Sequence, residues 1–220
     1  MVPNQKQLFT AILPLLQQAA NDLCWLLNRG YNQRSALSLV GDKFQFTKRQ
    51  RQIIQRSSCH TTSIEKRTQN HKSIQQLPST AYIDGFNILI TIECALRGDL
   101  LLRCRDGVIR DIAASHGRYR QMQQTDQAID LIAHQLQNLG ITNMIWFLDR
   151  PVSHSGKLAQ TIREKGMQSK VMNNPDQELC NTKGLVISAD GWVLENCWGW
   201  YPLVEDIIRN HIPNAWIEKV

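Results

Sequence analysis

A chain of 220 residues, 42% hydrophobic and with six tryptophans, has enough apolar mass for a real core. It has no apolar run of the roughly 18–20 residues that a membrane span requires. It also lacks a charged-then-apolar leader at its start and any Cys-x-x-Cys pair for zinc, so the sequence predicts a cytoplasmic protein with reduced thiols and no membrane partner. The net charge of +6 is gathered in one segment, because eight basic residues from Lys43 to Lys72 face a single acid, Glu65. That imbalance predicts a polyanion partner, most naturally nucleic acid, against the alternative of a solvated basic surface.

Residues 1–58 carry no strand signal. Leu8, Ile12, Leu15, Leu16, Ala19, Leu23, Leu26 and Leu27 recur at helical spacing up to Arg29-Gly30. Pro14 either kinks this first helix or sits near its start. A short helix follows over Ser35–Val40, with Gly41-Asp42 as its stop. Thr47-Lys48-Arg49-Gln50 then has the spacing of a capping box and predicts a helix to about Ser58. Ile53 and Ile54 give that helix an inner edge, and Lys48, Arg51, Gln52 and Gln55 share the opposite face. The order of helix, turn, short helix and basic helix is compatible with a helix-turn-helix-like domain, with Arg49 and Arg51 as candidate contacts to a nucleic-acid backbone.

Residues 59–79 are rich in Ser, Thr, Gln, Asn, Lys and His and offer little to bury, which predicts a polar basic linker. From residue 80 to 220 strands and helices alternate, which predicts an α/β domain on a largely parallel sheet. Strands are expected near 81–84, 100–104, 143–148, 184–189 and 214–218, and helices near 87–97, 118–139, 156–166, 175–181 and 201–210. The stretch around Asp99–Asp106 reads as either a hairpin or a loop.

Three of these strands end in an acid. Tyr82-Ile83-Asp84-Gly85-Phe86-Asn87 turns on a glycine into an apolar helix; Trp146-Phe147-Leu148-Asp149 and Val186-Ile187-Ser188-Ala189-Asp190 repeat the device. In an open α/β sheet, ligands bind beyond the carboxyl ends of the strands, so three acids delivered there make one anionic pocket suited to a hard divalent cation. Gly85 permits a sharp turn or a close approach to a ligand. Asn87 can hydrogen-bond the carboxylate or a phosphate. Glu93, nine residues after Asp84, either faces the sheet or solvent. After Asp149, Ser153, His154, Ser155 and Lys157 lead into a helix whose first amides suit an anion, or serve as an ordinary cap. Asp176 opens another helix, either as a dipole-stabilising acid or as a further ligand. Asp106-Gly107 has turn chemistry, and Arg110-Asp111 reads as an ion pair near the site or at the surface. His116 and His154 are accessory candidates.

Ile83-Asp84-Gly85-Phe86-Asn87, Phe147-Leu148-Asp149, Asp176-Gln177-Glu178-Leu179 and Ser188-Ala189-Asp190 resemble, in that order, the PIN-like ribonuclease domains of NYN type. The resemblance covers roughly residues 80–200. The whole chain also resembles an uncharacterised prokaryotic family in which a small helical domain precedes such a core. What the resemblance implies is a Rossmann-like parallel sheet with helices on both faces and a Mg2+- or Mn2+-dependent site. On it Asp84, Asp176 and Asp190 are metal ligands, Asp149 is a ligand or a supporting acid, and Asn87 is a polar contact. Two features depart from the pattern. Ser188-Ala189-Asp190 precedes Gly191-Trp192 where the family often has Thr-Ser-Asp and a polar residue, and the segment between Gly98 and Ser115 is extra to the usual core.

The expected function is therefore metal-dependent cleavage of RNA, in preference to DNA, with Ser153, Ser155, Lys157 and the basic segment holding the backbone and Glu93 and Asp111 as accessories. The alternative is a PIN-like core that binds nucleic acid without cutting. A phosphotransfer enzyme ranks last, since no Asp-x-Asp pair follows the first strand. Homo-oligomerisation is left open.

Overall fold

Five mutually parallel strands hold the main core of the chain. The computed structural model describes residues 5–113 and 124–220. The sheet comprises β1 (Thr80–Asp84), β4 (Asn143–Asp149), β5 (Gln168–Met172), β6 (Leu185–Ile187) and β7 (Gly199–Trp200), in the order β5-β4-β1-β6-β7. Ile83, Trp146, Phe147, Leu185 and Ile187 are fully or almost fully buried, as continuous apolar runs in a helix-covered parallel sheet must be. Helices flank it. α5 (Gly85–Arg97) packs on β1 and β4 and is backed by α6 (Thr125–Asn138) and α10 (Leu203–His211). α7 (Ser155–Glu164) lies on β4 and β5, while α8 (Pro175–Asn181) lies on β1 and β4 and touches α9 (Gly191–Asn196).

The strand order decides where a ligand can sit. Successive strands step outward from β1 through β4 to β5, then return to the other side of β1 with β6 and β7. The direction reverses between β1 and β6, and a crevice opens at such a reversal beyond the carboxyl ends of the strands.

A second sheet is built from β2 (Leu101–Arg103), β3 (Ile109–Asp111) and β8 (Ile217–Lys219), with β3 antiparallel and β8 parallel to β2. The stretch read as hairpin or loop is thus a hairpin. α1 (Gln5–Asn28), which runs through Pro14, α2 (Gln33–Lys43) and α3 (Lys48–Ser57) bury Leu16, Leu23, Val40 and Ile54 against Leu100, Leu102 and Trp216 of this sheet and its flanks. The extra segment is therefore the platform on which the amino-terminal helices rest. α3 begins with the capping box its sequence predicts: Gln50 Oε1 accepts from Thr47 N at 2.7 Å, and Thr47 Oγ1 accepts from Gln50 N at 3.4 Å.

The predicted linker is corrected by the structure. Residues 59–79 contain α4 (Thr61–Asn70) and a short 3-10 turn at Ile74–Gln76, and α4 packs on α9. No apolar stripe signals this helix. Polar contacts fix it instead: Arg67 is buried and binds Asp106 and Glu195, and Asn70 Nδ2 donates to Leu194 O and Glu195 O at 3.1 and 3.2 Å. β5, α9 and β7 are also additional to the predicted elements. Gln168-Ser169-Lys170 is too polar to read as a strand, and pairing with β4 at the sheet edge determines it. α6 starts at Thr125, and its predicted beginning near 118 lies outside the described residues, as does His116. Among the described residues no helix is long and apolar enough to cross a membrane.

Candidate metal and nucleic-acid site

Gly85 makes the first corner of the site. A Cβ placed there would lie 2.9 Å from the backbone oxygen of Phe147 and closer still to the Leu148 side chain. A side chain is excluded because α5 must start hard against β4, so the close approach foreseen for Gly85 is to a strand. The chain passes from β1 into α5 with Asp84 at the junction, and the Asp84 carboxylate does not cap the helix. It turns to β6 instead, where its Oδ2 accepts from Ser188 Oγ at 2.7 Å. Ser188 Oγ in turn accepts from Asp190 N at 3.0 Å, and Asn87 Oδ1 accepts from Ala189 N at 2.8 Å. β1 and the end of β6 are thereby locked across the strand-order reversal.

A cavity of about 290 Å³ opens at this point, lined by Asp84, Asp111, Asp149, Asp176 and Asp190 together with Arg56, Phe86, Asn87, Ile90 and Val152. The four acids singled out from strand ends and the α8 start all reach it, and the accessory candidate Asp111 joins them. Asp84 and Asp111 are 4% exposed, while Asp149, Asp176 and Asp190 are half-buried. Burial pushes Asp84 well above the usual carboxylate range; the Ser188 hydroxyl opposes that rise and the charges of Asp176, Asp190 and Asp149 add to it. Burial, then Asp190 and Asp149, push Asp176 up to about 6. Burial raises Asp149 too, against its own backbone N–H. Asp190 Oδ1 caps α9, accepting from Trp192 N and Val193 N at 2.9 and 3.1 Å. The cavity is thus an array of hard oxygen donors under strong pressure to lose negative charge. Among the described residues no three His, Cys, Asp or Glu side chains are placed closely enough to hold a metal ion as they stand.

Other candidates lie elsewhere. Glu93 is fully buried and accepts from Thr125 Oγ1 of α6, so it braces two helices away from the cavity. Arg51 donates to Phe46 O at 3.0 Å and Ser38 O at 3.2 Å and pairs with Asp42 at 2.7 Å, which ties α3 to the end of α2. Arg49 is exposed on α3. Ser153, His154, Ser155 and Lys157 sit at or before the start of α7, beyond the same strand ends, but do not line the cavity; Ser155 Oγ donates to Arg150 O at 3.4 Å.

Arg110 and Asp111 do not pair with each other. Arg110 is buried, donates to Ala189 O at 2.6 Å and, with Arg67, holds Asp106. Burial opposes ionisation of Asp106, but Arg110 and Arg67 outweigh it and keep that carboxyl below its usual range. Asp106 is therefore the ionic hub of α4, the β2–β3 hairpin and the β6–α9 turn, as well as a turn residue. Asp111 Oδ2 accepts from Thr91 Oγ1 at 2.9 Å and lies 3.7 Å from the Arg56 guanidinium. Arg56 and Ser188 carry roles that sequence reasoning did not assign. Ser188, two residues before Asp190 in a strand-end motif, had a local signal; Arg56 is one of eight similar cations and had none.

The family model described as "Domain of unknown function (DUF5616)" matches residues 74–206. The chain belongs to this family. All five aspartates of the cavity fall within the DUF5616 match, and Arg56 falls within a second match, to "Protein of unknown function (DUF434)", over residues 15–70. The cavity is thus assembled from both matched parts of the chain. The DUF5616 chain is also similar to the "Uncharacterized protein MJ0935" of Methanocaldococcus jannaschii, at 32% identity over 188 residues that span 82% of this chain and 89% of that one. No solved structure matches the chain.

Proposed function

We propose that this protein is a divalent-metal-dependent phosphodiesterase that cleaves RNA from a PIN-like core of NYN type. The observation that carries the reading is the meeting of Asp84, Asp149, Asp176 and Asp190 in one cavity at the reversal of strand order. Their carboxylates would hold Mg2+ or Mn2+, ions that prefer oxygen donors, and the elevated proton affinities of Asp84 and Asp176 are what a cation-binding acid cluster has without its cation. When bound, such an ion lowers the pKa of its water and neutralises charge developing on a phosphodiester.

The chain's own residues do the rest. Ser188 orients the Asp84 carboxylate, Asn87 fixes the turn that carries Asp190, and Arg56 at the rim, the one cation of the cavity lining among the described residues, faces a phosphate. Lys157 and the exposed Arg49 extend that attraction along a backbone. A second reading, nucleic-acid binding without cleavage, is favoured by one feature: Asp190 Oδ1 is already engaged by two α9 amides. Incubation of the full chain with single-stranded RNA separates the two. Cleavage in Mg2+ or Mn2+ that is abolished by a chelator and by Asp84→Asn supports the phosphodiesterase. Salt-sensitive binding with no turnover in any divalent metal supports the second reading, and undiminished cleavage by Asp84→Asn refutes the site.

A further inference from the structure

Next to the carboxylate cavity lies a larger one of about 470 Å³, and the two share Arg56, Asn87 and Asp190. Its volume is that of a small-molecule or single-nucleotide site rather than of a surface dimple. One wall is α3, through Gln52, Gln55 and Arg56; the other is the start of α9, through Gly191 and Trp192. The α9 wall is tied to Arg67 through Glu195. Arg67 and Arg110 lie in the lining between the two walls, both buried and both tied to Asp106, and Arg110 also holds Ala189.

Trp192 is the unusual member. It is 49% exposed at the groove edge, whereas the exposed Trp25 and Trp198 each lie under a cation of the same chain, Arg29 and Lys72. Among the described residues Trp192 has no such cover. An open indole face beside neutral amides has a specific chemical match. Unpaired bases stack on aromatic rings and hydrogen-bond along their edges, and a glutamine amide supplies both a donor and an acceptor. The acids of the neighbouring cavity repel a bare phosphate backbone, so Arg56, at the junction of the two cavities, is placed to take the phosphate that joins them.

We infer that the groove between α3 and α9 seats an unpaired nucleotide of a single-stranded polynucleotide, its base on Trp192 and its edge toward Gln52 and Gln55. The reading rests on the proposed phosphodiesterase for its orientation, since it places this nucleotide beside the scissile phosphodiester. It makes the protein selective for single strands, because a base held in a duplex cannot reach the indole. It also gives the basic α3 helix a role as one wall of the site.

Fluorescence anisotropy in a chelator, where metal-dependent cleavage is silent, tests the groove directly. The probes are a labelled single-stranded RNA, the same sequence as single-stranded DNA, and the RNA duplex. Trp192→Ala is expected to weaken single-strand binding about tenfold, or about 1.4 kcal/mol, to leave duplex binding unchanged, and to be rescued largely by Trp192→Phe. Comparable binding of the two single strands supports recognition by stacking alone, and tighter RNA binding adds contact to the 2′-hydroxyl. Wild-type affinity in Trp192→Ala, or duplex binding as tight as single-strand binding, overturns the proposal. Failure of the cleavage reading is separate, because Asp84→Asn is then found to retain any hydrolysis while Trp192→Ala still loses binding.

Discussion

Replacing Asp84 by Asn should stabilise the metal-free protein while removing its response to metal. Asp84 is 4% exposed and shares its cavity with Asp149, Asp176 and Asp190, so its charge is both desolvated and repelled. Burial of an ion costs several kcal/mol even after relaxation. The bond from Ser188 Oγ at 2.7 Å offsets part of this, by about 1.5–3 kcal/mol for a charged acceptor. Asn keeps the same shape and an acceptor oxygen for Ser188, and retains about 1 kcal/mol of that bond. The loss is thus about 0.5–2 kcal/mol, and the relief of desolvation and repulsion exceeds it by about 1–2 kcal/mol. For a chain of 220 residues a gain of about 1–2 kcal/mol is a rise of about 2–8 °C in Tm. Thermal melts at pH 7.5 in a chelator, repeated with Mg2+ and Mn2+, measure both parts. Wild type should melt higher with metal, and Asp84→Asn should melt higher without it and gain little from it. A fall in Tm for Asp84→Asn in chelator would mean that the carboxylate is a structural hydrogen-bond acceptor, and the argument for a charge-strained site would fail.

The remaining outcomes concern Asp176 and Arg67. Because Asp176 has a folded pKa of about 6 against an ordinary 3.8, the folded state binds more protons than the unfolded one between those values. Its stabilising share is therefore complete below about pH 4 and is lost as pH rises through 6. That rise in pKa to about 6 corresponds to about 3 kcal/mol, which solvent screening of a half-buried carboxyl reduces to about 1–1.5 kcal/mol. In chelator, Tm followed from pH 4 to pH 7 should fall more steeply for wild type than for Asp176→Asn; equal slopes would refute the assignment. Arg67→Met leaves Glu195 without its cation and Asp106 with Arg110 alone, and breaking a buried ion pair costs about 3–5 kcal/mol. Hydrogen exchange should accelerate across residues 61–70 while β1 and β4 stay protected, and unchanged protection of α4 would show that the ion pairs do not hold it.

Much of the site is local in sequence and was legible there. A strand that ends in an acid, a glycine that starts a helix against its neighbour and a threonine-to-glutamine capping box each depend on residues within a few positions of one another. Asp84, Asp149 and Asp190 could be named because β1 and β4 are continuous apolar runs whose last residue is charged, and β6 ends three residues before its acid. Asp176 was less legible, since an acid in the first turn of a helix is ordinary and only the strand toward Asp190 that follows it raised it above that. Glu93 and Arg51 misled because helical spacing gives a side chain's direction but not the element it meets, which is α6 for one and the end of α2 for the other.

The sequence by itself therefore determined the alternation of strands and helices, the delivery of acids to strand ends and the concentration of positive charge before residue 80. Tertiary structure alone decided that β6 lies beside β1, which makes the strand ends one crevice instead of three. It alone brought Arg56 to the rim, Asp111 to the wall and Trp192 opposite α3. It also turned a polar stretch into α4, through contacts from Arg67 to Asp106 and Glu195 that lie 39 and 128 residues away. Periodicity and caps are set by neighbours along the chain. Ion pairs between distant segments have no period, and only the completed fold selects which of many similar cations meets which acid.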